Sequence, residues 1–134
     1  MKLEAGTIEL LQPWFPDLQL TDVSLVSTGP VCWYVRTVAQ QGMMTIAPWV
    51  FYGRESYNPD SLASVALIAH ELKHVQQYRE RGHAAFLARY MWDLGRNGFR
   101  YSRELPLEAE AYALQAEVRA ALRPVFARVN PLEH

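Results

Sequence analysis

At 134 residues, with 50% hydrophobic and 20% charged side chains, the sequence is sized for one domain around one core and lacks the signature of disorder. Thirteen Lys plus Arg against fourteen Asp plus Glu leave a net charge of −1, which excludes a whole-molecule attraction to nucleic acid or to an anionic membrane. The single cysteine, Cys32, has no internal disulfide partner and points to a cytoplasmic setting, and no apolar run reaches the ~18 residues of a membrane span.

Residues 7–15 carry Ile8, Leu10, Leu11 and Trp14 and read as a short helix stopped by Pro13 or as an irregular arm. From 18 to 52, β-branched, aromatic and Leu residues predominate, with alternation in Leu18, Leu20 and in Val31, Trp33, Val35. Gly29-Pro30 and Gln40-Gln41-Gly42 punctuate this stretch as turns. The reading is a three-stranded antiparallel meander with strands near 18–27, 31–39 and 43–52. After Asn58-Pro59-Asp60-Ser61 the period becomes helical: Leu62, Val65, Ala66, Ala69, Leu72, Val75 and Gln76 recur until Gly82, with Asp60 or Ser61 as N-cap. A second helix is expected from about His83 to Asp93, with Phe86, Tyr90 and Leu87 on its apolar face and Gly95 and Gly98 breaking it. Pro106 opens a third, with the stripe Leu107, Ala111, Leu114, Val118, Leu122. Strands first and helices after make an α+β fold, a three-stranded antiparallel sheet followed by three helices. Residues 1–131 read as one domain, and Leu132-Glu133-His134 as the junction of an expression tag. Trp14, Trp33, Trp49 and Trp92 are expected in the core, and Cys32 as a buried small apolar residue.

The first of the three helices contains His70-Glu71-Leu72-Lys73-His74, the pattern H-E-x-x-H. Histidines four apart share a helical face, with Cβ atoms about 5–6 Å apart, so both imidazoles can reach one ion at ~2.0–2.1 Å. Glu71 lies about 100° round the helix from His70, where it is free to act on water rather than to ligate. A catalytic zinc needs a third protein ligand. Gln77 and Glu80 stand where the metzincin pattern has glycine and histidine, which excludes that class. Glu80 is more than a turn beyond His74 and cannot bend back, and His83 reads as an exposed helix-start residue. In the third helix Glu108 and Glu110 flank the apolar stripe on opposite sides, each roughly 70–90° from its centre, and periodicity leaves the two open.

On these residues the sequence resembles the gluzincin metallopeptidases, in particular the small minigluzincins and related bacterial domains of unknown function whose motif reads H-E-L-x-H-V-x-Q. Ala69 to Gln77 carries that likeness. The resemblance implies a zincin-like minimal domain that binds Zn2+. His70 and His74 would be ligands and Glu71 the general base. It also favours Glu108 over Glu110 as third ligand, because Glu108 and Ala111 match the start of the family's E-x-x-A-D stretch. Tyr112 stands in place of the aspartate that orients an imidazole in the family, and Lys73 where an uncharged residue is usual. The implied activity is hydrolysis of peptide bonds by a zinc-bound water that Glu71 deprotonates. The alternative is a catalytically weak zinc-binding protein or peptide interaction module.

For the oxyanion, Tyr101, Arg100, Arg103 and Tyr112 are the candidates. The segment Thr45-Ile46-Ala47-Pro48-Trp49 can hold an extended peptide by strand addition, with Pro48 removing one donor. Six arginines lie between Arg79 and Arg103, but arginine outnumbers lysine eleven to two along the chain, so they read as solvated helix faces rather than a nucleic-acid surface. The expected partners are a peptide or protein substrate, with neither nucleic acid nor membrane. A second copy or a protein partner is a candidate to complete the cleft.

Overall fold

A computed structural model describes residues 1–129. The residues read as a tag junction, 132–134, lie outside the described residues. Helix α1 (Ala5–Leu11) runs into a 3-10 turn at Gln12–Trp14, so the ambiguous arm is helical up to Pro13. A second 3-10 turn (Leu20–Asp22) precedes strand β1 (Ser24–Val26), and helix α2 follows (Pro30–Thr37). Strands β2 (Met43–Ile46) and β3 (Trp49–Tyr52) form a hairpin, and the chain ends in α3 (Leu62–Arg81), α4 (His83–Arg96) and α5 (Pro106–Val129). The sheet has three strands in the order β1-β3-β2, and the fold is α+β.

The expected meander is corrected at each of its strands, the first, 18–27, being cut to Ser24–Val26 because Leu20–Asp22 is a 3-10 turn. The middle strand, 31–39, is α2. Gly29, at φ 109°, caps it, and Pro30 occupies the first helical turn, where its missing N–H costs nothing. The buried residues there are Cys32 and Val35, three apart, while Trp33 lies exposed between them, so the apparent alternation was an accident of composition. The last strand, 43–52, is two strands turned at Ala47-Pro48. β2 pairs antiparallel with β3, from Met43 opposite Tyr52 to Ile46 opposite Trp49, whereas β1 pairs parallel with β3, Leu25 opposite Val50. Gly53, just past β3, comes so close to residue 41 that a Cβ would collide with the Gln41 carbonyl oxygen and the Val35 side chain. Its N–H donates to Gly42 O at 2.8 Å.

The centre of the molecule is α3. Ser61 caps it, its side chain accepting from Ser64 N at 3.3 Å, and Gly82 at φ 82° ends it. Twelve of its twenty residues are buried, because β2, α4 and α5 all pack against it. The stripe Leu107, Ala111, Val118 and Leu122 of α5 is buried as expected, with Leu114 partly so. Helix α4 runs three residues further than expected, through Gly95 to Arg96, and Gly98 at φ 69° turns the chain beyond it. It buries only Phe86, stacked on Tyr78 with centroids 3.8 Å apart. Leu87, Met91 and Trp92 are exposed. Of the tryptophans expected inside, Trp33, Trp49 and Trp92 (64% exposed) lie at the surface and Trp14 packs against the core. Their aromatic character says nothing of direction once the middle strand becomes a helix. Cys32 is buried, its Sγ 3.1 Å from Val26 O. No described helix is long and apolar enough to cross a membrane.

Candidate metal centre

His70 and His74 project from the same face of α3 toward the first turn of α5. There Glu108 extends one carboxylate oxygen to both: Oε1 lies 3.2 Å from His70 Nε2 and 3.0 Å from His74 Nε2. All three side chains are buried, and their donor atoms fall within 4.8 Å of one another. Two ligands on one tetrahedral ion at ~2.0–2.1 Å stand roughly 3.3 Å apart, close to the spacing found. The donor set of two imidazoles and a carboxylate, with the remaining ring nitrogens already hydrogen-bonded, therefore fits a divalent cation.

The electrostatics agree with the geometry. Burial opposes charge on His74, but the hydrogen bond to Glu108 and the negative fields of Glu71 and Glu108 outweigh it and raise the imidazole from 6.5 to about 9. Glu108 is drawn down to about 2 against its own burial, chiefly by hydrogen bonds from His70 and His74. The pocket thus favours positive charge opposite Glu108, and a proton and a metal ion compete for the same ring nitrogens.

Each metal-facing side chain has one further partner that holds it. His70 Nδ1 is 3.0 Å from Gln115 Oε1, and His74 Nδ1 is 2.9 Å from Gln77 Oε1. Tyr90 donates its hydroxyl to Glu108 Oε2 at 3.0 Å, and burial with the neighbouring Glu108 charge pushes that phenol well above its ordinary range. Glu71 is buried as well. Its Oε2 accepts from Thr45 Oγ1 at 2.7 Å, and Tyr78 Oη donates to the carbonyl of the same Thr45 at 3.3 Å. Glu71 lines a cleft of about 240 Å³ together with His70, His74, Glu108 and Tyr90, bounded by β2 and by Phe86 and Leu87 of α4.

The sequence-derived candidates therefore separate. His70, His74 and Glu108 come together and Glu71 lines the same cleft, while Glu110 is exposed. Tyr112 packs edge-on against His70 at 4.4 Å between ring centroids; its hydroxyl meets that of Tyr101 at 2.8 Å, and the Arg103 guanidinium sits 4.1 Å over its ring. Tyr112 flanks His70, Tyr101 and Arg103 pack on Tyr112, and none of the three lines the cleft. His83 bonds to Ala47 O through Nε2 at 2.7 Å, away from the triad.

Sequence reasoning gives Tyr90 and Gln115 no part in this site, Gln77 only a place at the end of the motif, and Thr45 only a place in a segment for strand addition. Helical spacing signals two of them: Gln77, the last residue of the H-E-L-x-H-V-x-Q motif, is seven residues after His70 on the same helical face, and Gln115 is seven after Glu108.

Against known proteins, residues 3–82 match the family model of the eCIS core domain. No curated protein and no solved structure matches the chain. The matched span takes in the sheet and α3, with His70, Glu71 and His74, and ends at Gly82. Glu108, Tyr90 and Gln115 lie beyond it.

Proposed function

The chain belongs to the eCIS core domain family, its matched span holding His70, Glu71 and His74, and from the geometry of the site we propose that it is a gluzincin-like zinc metallopeptidase acting on peptides or proteins. The observation that carries this reading is the convergence of two imidazole Nε2 atoms and one Glu108 oxygen beside a second carboxylate, Glu71, outside that ligand group. His70, His74 and Glu108 would hold a zinc ion, which when bound would supply Lewis acidity to a water and to a substrate carbonyl.

The chain's own residues supply the rest. Glu71 is steadied through Oε2 by Thr45, which leaves Oε1 to take a proton and pass it to the departing amine. The pairing of Gly53 N–H with Gly42 O sets the phase of the hairpin. By alternation, the backbone N–H and C=O of Met43 and Thr45 point away from β3 toward the open edge, with the Thr45 carbonyl held by Tyr78. An extended substrate can pair along that edge. Met44, Ile46, Phe86 and Leu87 give it an apolar wall suited to an apolar side chain. Tyr90 lines the cleft with its one hydroxyl proton given to Glu108 Oε2, so its part is to steady the third ligand.

The test is Glu71→Gln in a peptide-library screen on zinc-loaded protein. Wild type should cleave a subset of peptides. The variant should bind zinc at wild-type stoichiometry and lose turnover by at least about a hundredfold, as expected for removal of a general base. Unchanged cleavage rules out the role of Glu71. Zinc-loaded wild type that cleaves nothing moves the reading to a peptide-binding module.

A further inference from the structure

We propose that Gln77 is a positioning residue of the metal centre, in a role that only an amide fills; the proposal rests on the metal-binding reading of His70, His74 and Glu108. Its side chain is 2% exposed and both of its ends are engaged. Nε2 donates to the Leu107 carbonyl at 3.0 Å, and Oε1 lies 2.9 Å from His74 Nδ1. A carbonyl only accepts, so the bond to Leu107 fixes which end of the amide is nitrogen. Oε1 must then accept from His74 Nδ1–H. Nδ1 is thereby kept as the protonated nitrogen, so Nε2, which donates to Glu108 while the ring is charged, is the atom that gives up its proton and would turn its lone pair to a metal ion.

Leu107 immediately precedes Glu108. The side chain that orients one ligand on α3 therefore also holds the turn of α5 that presents another. Gln77 sets His74 and Glu108 relative to each other as well as His74 within its own ring plane.

A carboxylate satisfies only half of this. Gln77→Glu keeps the acceptor for His74 but turns an oxygen onto the Leu107 carbonyl oxygen, acceptor against acceptor in a buried place. Gln115 supplies the contrast. Its Oε1 serves His70 Nδ1 in the same way, but among the described residues its amide has no second hydrogen bond and it is only partly buried. A glutamate at 115 keeps the acceptor and adds negative charge behind the imidazole, which strengthens it as a ligand.

The experiment is a Zn2+ competition titration against a chromophoric chelator on the full chain, with circular dichroism and Tm measured in EDTA alongside. Gln77→Glu should bind zinc about 10- to 100-fold more weakly than wild type, the usual range for losing such a partner, while Gln115→Glu binds at least as tightly as wild type. Gln77→Met removes both bonds without adding charge and should also weaken binding at least about tenfold; it decides the matter where Gln77→Glu does not fold. A purely structural role would lower Tm in EDTA and leave zinc affinity where it was. Zinc binding by Gln77→Met equal to wild type overturns the proposal, as does equal weakening by glutamate at 77 and at 115. Wild type that takes up no zinc removes the metal reading itself, an outcome distinct from both.

Discussion

Helices α3 and α4 are joined by one residue and have opposite relations to the rest of the molecule. α3 is covered by β2, α4 and α5 and buries His70, Glu71, His74 and Gln77, each of which has a hydrogen-bond partner. α4 buries Phe86 alone and leaves Leu87, Met91 and Trp92 in solvent. The polar groups in α3 are stable in the interior because they satisfy one another and α5, since a buried group without a partner costs about 1–3 kcal/mol. Among described residues no buried side-chain nitrogen or oxygen lacks a partner. α4 acts as a one-sided cover, and what it offers the site reduces to Phe86, Leu87 and Tyr90.

That contrast can be broken or sharpened by substitution. The largest effect belongs to the interior cluster: Glu108→Ala should abolish stoichiometric zinc, read by mass spectrometry on protein purified without chelator, whereas Glu110→Ala, exposed two residues on, should retain it. The reverse pattern would exchange the two glutamates. Next is packing: Leu72→Ala, fully buried in α3, should lose about 2–5 kcal/mol in chemical denaturation. Leu87→Ala, 47% exposed on α4, should stay within about 0.5 kcal/mol, and an equal loss at both would contradict the description of α4 as a cover. Smaller again is Tyr90→Phe, which removes the hydroxyl from Glu108 Oε2. Zinc affinity should fall about tenfold, with Tm little changed, in a chelator competition assay.

The legible part of this molecule is the part written in helical period. His70, Glu71 and His74 lie within a run whose apolar positions recur at three and four, so both the helix and its shared face could be drawn from sequence. The choice between Glu108 and Glu110 could not be made from a stripe centred on Leu107 and Ala111. The buried side of α5 in fact runs Glu108, Ala111, Val118, Leu122 with Gln115 half-buried among them, and its two polar positions bond to His70 and His74 of α3. Scoring only apolar residues hides a face whose purpose is to bring polar groups inward. The sheet was less legible for a different reason. Strands of three and four residues carry too few positions to establish a period, and Val31, Trp33 and Val35 alternate by chance across a helix. The period marks Phe86, Leu87 and Tyr90 as one apolar face of α4, and these three do line the cleft; what it does not encode is that the Tyr90 hydroxyl reaches Glu108.

Gly82 closes α3 and opens α4 at φ 82°, with open space around its Cα, so steric crowding is not what keeps it glycine; the torsion is. With no linker between the helices there is no spare chain length in which movement could be absorbed. The angle between the floor of the cleft and its wall is then set by the covalent geometry of one residue, and the bond from His83 to Ala47 O ties the wall to the hairpin opposite. The width of the cleft is in this sense a backbone dihedral angle.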